Sequence, residues 1–323
     1  MPAHHIAFWN VENLFDVEDS PRRTDKLQRA LGSELAGWTQ AQLDAKLAQL
    51  ASIIQQLNGG AGPDLLGVCE VENAHVLGVL RDALALLGRD YRIAHADTSD
   101  QRGIDVAFLY DGARYTIRDG ETFSHFVMRR TATRDLFQVN LRTMPTGRLL
   151  VAIGNHWPSR RGGELESAAY RAIAGETLAY FHERIRAIQG KDVAVIAMGD
   201  FNDEPFDRSL THYALAERQA QKVSNAQTPR LLNLMWPVVG AALGTHYFDN
   251  HANALDQFLV SKGLLTGAPG LKARVDSVRV EQFPEMVSGG DYPDPIRFGR
   301  GRNANLAGFS DHYPISLVID EDD

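Results

Sequence analysis

The chain has 323 residues, 44% of them apolar and 23% charged, with a formal net charge of -8. That balance excludes a disordered chain and is ordinary for a globular one. The negative charge argues against a surface that grips nucleic acid everywhere, though not against a local basic groove. Cys69 is the only cysteine, which excludes an intrachain disulfide and a thiolate zinc site.

Residues 5–9, HIAFW, read as a short buried strand. The polar stretch 17–38 reads as a loop. Thr39 is a good N-cap for a helix over 40–57, whose apolar residues Leu43, Leu47, Leu50, Ile54 and Leu57 recur at helical spacing. Asn58-Gly59-Gly60 ends it. Residues 64–71 read as a strand and 75–87 as a second helix. Five strands follow, at 91–96, 104–110, 115–117, 136–142 and 149–156. Asp111-Gly112 predicts a hairpin between two of them. A helix over 165–189 leads to a strand at 193–198, and 207–218 read as helical. Residues 219–250 are mixed. Strands are expected at 254–260, 275–283 and 313–319, with a Gly/Pro/Arg-rich loop at 284–309.

No linker or repeat divides the chain. Consecutive strands without helices in its middle disfavour a doubly wound parallel sheet. The expected fold is a single α+β domain over residues 1–323, with two stacked, mainly antiparallel sheets and helices packed outside. The N-terminus MPAHHIAFWN shows no signal peptide, and no apolar run is long enough to span a membrane. The expectation is a cytoplasmic monomer with no stable protein partner and no membrane insertion; a signal peptide already removed would make it secreted.

Five strand ends carry polar residues: FWNVEN (8–13), VCEVEN (68–73), GNHWPSR (154–160), MGDFNDEP (198–205) and FSDHYPI (309–315). A sixth segment, LDQFLVS (255–261), sets an acid within an apolar strand. Strand ends collect functional groups because a rigid scaffold positions them. Two packed sheets can bring Asn10, Glu70, His156, Asp200, Asn202, Asp256, Asp311 and His312 to one rim. Such a set offers carboxylates, amides and imidazoles but no thiols, which suits Mg²⁺, with Mn²⁺ or Ca²⁺ as alternatives. Singly, each residue has a plainer reading. Asn10 and Asn13 close turns, Glu72 and Asn73 cap a helix, His156 is a bonded core histidine, and Trp157 packs.

Taken in order, these motifs resemble the endonuclease/exonuclease/phosphatase superfamily, which includes DNase I and the exonuclease III-like repair nucleases, over residues 6–318. The resemblance implies a DNase I-like four-layer sandwich and a divalent-metal-dependent phosphodiester hydrolase that cleaves by in-line attack of water. It implies Glu70 as principal metal ligand, with Asn10 and Asp311 beside it. Asp200 resembles the carboxylate that positions or deprotonates the water. Asn202 resembles the amide that orients the phosphate, and His312 the histidine that stabilises developing charge. Asp256 resembles the partner of His312. His156 stands where DNase I has a histidine and the repair nucleases a tyrosine.

Three further assignments rest on position in the sequence. Asp105 orients His156 from a neighbouring strand, or pairs with Arg102. Arg102, Arg160 and Arg161 meet substrate phosphates. The loop arginines Arg297, Arg300 and Arg302 track a phosphate backbone. The leading expectation is therefore a nuclease acting on DNA or RNA, the alternative an enzyme for a small-molecule or lipid phosphate ester. A binding protein that kept the fold would be expected to have lost a metal acid or the SDH histidine, and both are present.

Overall fold

The computed structural model describes residues 2–98, 100, 102–129, 133–241 and 243–322, with Ser33 described by its backbone alone. The elements in chain order are β1 (Ala3–Leu14), α1 (Asp25–Leu31), α2 (Gln40–Ile54), β2 (Leu65–Val71), α3 (Ala74–Ala83), β3 (Tyr91–His95), β4 (Asp105–Asp111), β5 (Tyr115–His125), β6 (Leu136–Thr143), β7 (Leu149–His156) and α4 (Glu164–Gln189). Then come β8 (Ala194–Asp200), β9 (Ala216–Glu217), α5 (Ala220–Asn225), β10 (Leu231–Asn233), β11 (His246–Phe248), β12 (His251–Asn253), β13 (Asp256–Ser261), α6 (Lys262–Thr266), β14 (Leu271–Ala273), β15 (Arg279–Val280) and β16 (Ile315–Glu321). None of the described helices is long and apolar enough to cross a membrane.

One large sheet runs β14-β16-β1-β2-β4-β3, with β15 also on β16; the other runs β5-β6-β7-β8-β13-β10-β9. Within them β1–β2, β7–β8 and β9–β10 pair in parallel, and the remaining pairs are antiparallel. Period-two alternation assigns the faces. Ile6 and Phe8 of β1 meet Ala152 of β7, Ile196 and Met198 of β8, and Phe258 of β13 between the sheets. Ala7 and Trp9 face the other way, toward Leu43, Leu47 and Leu50 of α2 and Val76, Leu77 and Leu80 of α3. Val195 and Ala197 of β8 meet Ala174, Leu178 and Ile185 of α4. The result is the expected four-layer sandwich.

Several expectations fail for identifiable reasons. The stretch 17–38 is not all loop: α1 forms over Asp25–Leu31, capped by Thr24, whose side chain accepts from Leu27 N. Leu31, Leu35 and Trp38 close a small core with Phe15, Ile104 and Phe298. Asp111-Gly112 makes a turn but not a hairpin. Both edges of β4 are already taken by β2 and β3, so the chain crosses to the second sheet, where β5 pairs with β6. Residues 207–218 hold one wide helical turn, Ser209–Tyr213, which ends where Leu215 takes a φ of 56° and reverses the chain into β9. Of 275–283 only Arg279–Val280 pairs; upstream, the Ser277 hydroxyl accepts the Val318 N–H instead of a strand carbonyl.

Candidate functional site

The second sheet sets three of the candidates in a single row. Register places His156 opposite Asp200 between β7 and β8, and Asp200 opposite Asp256 between β8 and β13. Alternation from Ile196 and Met198 turns Asp200 onto the face that looks at the other sheet. Gly199, just before it, is a packing requirement: a Cβ there would meet the Asn155 carbonyl oxygen at 2.1 Å. Strand β8 stops at Asp200. Asn202 therefore does not reach the site by continued extension. It has a φ of 50° and folds back, so its N–H donates to Asp200 Oδ1 at 2.9 Å.

The first sheet supplies the opposite wall. A bulge between Cys69 and Val71 breaks the register of β2 with both neighbours. Glu70 sits in it with a φ of 65°. Glu12 and Asn13, where β1 is also irregular, have φ values of 50° and 57°. Left-handed backbone at residues with side chains costs on the order of 1–3 kcal/mol each and clusters at functional sites. Here it lets the Asn13 N–H donate to Glu70 Oε2 at 3.0 Å.

The loop before β16 is pinned over the gap. Ser310 Oγ donates to the Asn10 carbonyl and accepts from the His312 N–H, and Trp9 Nε1 donates to the His312 carbonyl at 2.8 Å. His312 Nδ1 meets Asp256 Oδ2 at 2.6 Å, and its Nε2 lies 3.9 Å from Asp200 Oδ2. The Thr245 hydroxyl accepts from the Leu255 and Asp256 N–H groups and so fixes the start of β13.

Electrostatics separates the roles. Burial pushes the Asp200 carboxyl up to about 7, with the Asp256 charge adding to the effect and His312 opposing it. For His312, burial disfavours charge, but the Asp256 and Asp200 carboxylates overcome this and hold the imidazole well above its usual range. Burial, assisted by Arg134 and Arg102, holds His156 well below it. His156 Nε2 lies 3.6 Å from Glu70 Oε1 and 3.8 Å from Asp200 Oδ2. Burial also raises the Glu70 carboxyl; Asp311 adds to that while Arg102 opposes it.

Asp200, Asp256 and His312 are close enough together to hold a cation. However, an imidazolium has no lone pair to offer a metal. The better fit is Glu70. Only its Oε2 accepts a hydrogen bond among the described residues, and Asp311 stands near enough to raise its pKa. Two such carboxylates are hard donors of the kind Mg²⁺ takes. Asn10 lies beside them. Its Nδ2 donates to Asp200 Oδ2 at 3.1 Å and its Oδ1 accepts from the Glu12 N–H.

The remaining sequence candidates separate. Asn202 Nδ2 donates to Asp200 Oδ2 and to the Trp157 carbonyl, so in this structure the amide braces Asp200. Asp105 does not orient His156. Strands β4 and β7 lie in different sheets, and Asp105 Oδ1 accepts from the Thr98 N–H and hydroxyl, while His156 Nδ1 has no partner among the described residues. Arg160 does not face outward: it donates to the Asn202 carbonyl and to Asp203 and Asp207, and so supports the loop beneath Asn202. Arg297 is held by Glu12 and Asp311, and Arg300 by Glu34. Arg102 stays at the rim, donating to Asn13 Oδ1. Arg161 is exposed, and no ion pair of its side chain occurs among the described residues.

Three residues beside the site escaped the sequence reading. Arg134 donates to the Trp157 carbonyl at 3.0 Å and sits within electrostatic reach of both His156 and Glu70. Its only signal was a basic residue just ahead of β6. His246 lies with its ring centroid 4.7 Å from that of His312, in a region without clear periodicity. Lys46 is fully buried on α2, with Nζ donating to the Phe309 carbonyl. Burial lowers its amine to about 8 against the pull of Glu12, Asp311 and Glu70. Helical spacing alone marks Lys46 as an ordinary polar position.

The profile of the Endonuclease/Exonuclease/phosphatase family matches residues 5–321. No curated protein sequence matches the chain significantly. Among solved structures, the human Nocturnin catalytic domain with bound sulfate is similar at 18% identity and a TM-score of 0.60, covering 99% of this chain and 94% of that one. A D. rerio TDP2 humanized by 14 mutations is similar at 13% identity and a TM-score of 0.61, with 98% of each chain covered. A mannosyl-6-phosphatase of Bacteroides thetaiotaomicron is similar at 16% identity and a TM-score of 0.56, covering 98% of this chain and 99% of that one.

Proposed function

The chain belongs to the endonuclease/exonuclease/phosphatase family of metal-dependent phosphoric ester hydrolases, and on that premise we propose that it cleaves a compact phosphate ester by in-line attack of water. One observation carries the choice of a compact substrate. Arg160, Arg297 and Arg300, which a long polyanion would need, are bound to the protein's own carboxylates. Arg102 and Arg134 are paired more loosely, with Glu34 at 3.9 Å and Asp100 at 3.4 Å, and both stay within electrostatic reach of Glu70 and His156, a basic footprint suited to one phosphate group. The net charge of -8 points the same way.

Asp200, with a carboxyl pushed up to about 7, accepts the proton of the attacking water at neutral pH. Asn10 and Asn202 keep that carboxylate from turning. His312, held cationic by Asp256, faces the charge that develops on the phosphoryl oxygens. Neutral His156 offers a hydrogen bond without adding charge. Glu70 and Asp311 would hold a divalent cation, which when bound would supply Lewis-acid polarisation of the phosphoryl group.

A second reading, a nuclease, keeps the support of His156, which stands where DNase I has a histidine, and of the exposed Arg161 and Arg302. Rates on p-nitrophenyl phosphate, bis-p-nitrophenyl phosphate and supercoiled plasmid, in excess Mg²⁺ and across a salt series, separate the two. A compact-ester enzyme turns over the small substrates with little dependence on salt. Plasmid nicking that falls steeply with salt, with no turnover of the small esters, would replace this reading by the nuclease.

A further inference from the structure

A second cluster of ligating groups lies at the base of the loop between β3 and β4. His95 ends β3, Asp97 follows it, and Asp105 begins β4. His95 Nε2 is 3.4 Å from Asp105 Oδ2 and 4.0 Å from Asp97 Oδ1, and the three donor atoms lie within 4.8 Å of one another. The His95 side chain is only 6% exposed, yet its Nε2 has no hydrogen-bond partner among the described residues. A buried imidazole nitrogen left unpaired is costly. The Asp105 carboxylate, at 3.4 Å, makes no hydrogen bond to it.

The spacing fits a shared ion. Donors bound at ~2.1 Å around a tetrahedral cation sit about 3.4 Å apart. The Asp97 side chain is 84% exposed, so its carboxylate is free to swing in from 4.0 Å. Asp105 is held from behind, because Thr98 occupies its Oδ1 and leaves Oδ2 aimed at His95. Asp135, nearby, has a buried Oδ1 without a partner among the described residues, and burial together with the Asp105 charge raises its carboxyl. None of these residues belongs to the Glu70–Asp200–His312 constellation.

We infer that His95, Asp97 and Asp105 form a second divalent-cation site, separate from the hydrolytic one, that ties the β3–β4 loop to the strands it joins. One imidazole with carboxylates is a donor set for Zn²⁺ rather than for Mg²⁺ or Ca²⁺, which take oxygen. The same loop carries Arg102 to Asn13 at the rim of the hydrolytic site. The cation therefore holds a phosphate-facing arginine in place without touching substrate.

The test is equilibrium dialysis against Zn²⁺ in excess Mg²⁺, comparing the full chain with Asp97→Asn, His95→Gln and Glu70→Gln. Circular dichroism checks the fold of each, and Asp97→Asn alters only an exposed side chain. The inference predicts one tight Zn²⁺ per chain, retained in Glu70→Gln, weakened at least tenfold in Asp97→Asn and lost in His95→Gln. It is overturned if the wild type retains no Zn²⁺. It is equally overturned if Zn²⁺ is lost in Glu70→Gln while Asp97→Asn binds like wild type.

Discussion

Asp200→Ala is expected to lower kcat on bis-p-nitrophenyl phosphate by about 10³-fold, roughly 4 kcal/mol of transition-state stabilisation, with KM changed far less. The size follows from position. Asp200 is buried at the end of a central strand and flanked in register by His156 and Asp256. Asn10 and Asn202 direct its carboxylate, and its pKa of about 7 matches the proton it must take. The fold should survive, because the β8 ladder is backbone-bonded and the lost carboxylate is one that burial already penalises. Initial rates with circular dichroism on the same samples check both parts. A variant within threefold of wild type would remove Asp200 from the chemistry.

His312→Gln and Asp256→Asn are each expected to lower kcat by about 10²-fold, and the double variant to be little worse than either alone. The reasoning is that the two side chains act as one unit. His312 is cationic only because Asp256, at 2.6 Å, and Asp200 outweigh its burial. Removing Asp256 returns the imidazole to its neutral form, and removing His312 leaves Asp256 with nothing to hold. A double-mutant cycle gives the answer directly. Multiplicative losses, near 10⁴-fold in the double variant, would show independent roles and break the pairing argument.

What could be read from sequence follows from where the signal lies. Asp200 and Asp256 were legible as acids at the end of one apolar strand and within another, and their roles came from the resemblance. Strand partners were not legible. Asp111-Gly112 is a good turn in any sheet, and only the filled edges of β4 send β5 to the other one. Glu70 was placed by resemblance; the bulge and left-handed backbone that aim it leave no mark in hydrophobic periodicity. Arg160, Arg297 and Arg300 were misjudged for a related reason. A basic residue beside a motif looks the same whether it faces substrate or, like Arg160, an internal carboxylate such as Asp203. Arg134 and Lys46 were missed because their importance lies in contacts far away in the chain.

The most direct test of the account is turnover of bis-p-nitrophenyl phosphate across a Mg²⁺ titration, with EDTA as the zero point, for wild type and Glu70→Gln. Saturable activation, complete loss in EDTA, and a Mg²⁺ requirement at least tenfold higher in Glu70→Gln are expected. Turnover that persists in EDTA, or a Glu70→Gln curve that overlays the wild type, would contradict the account.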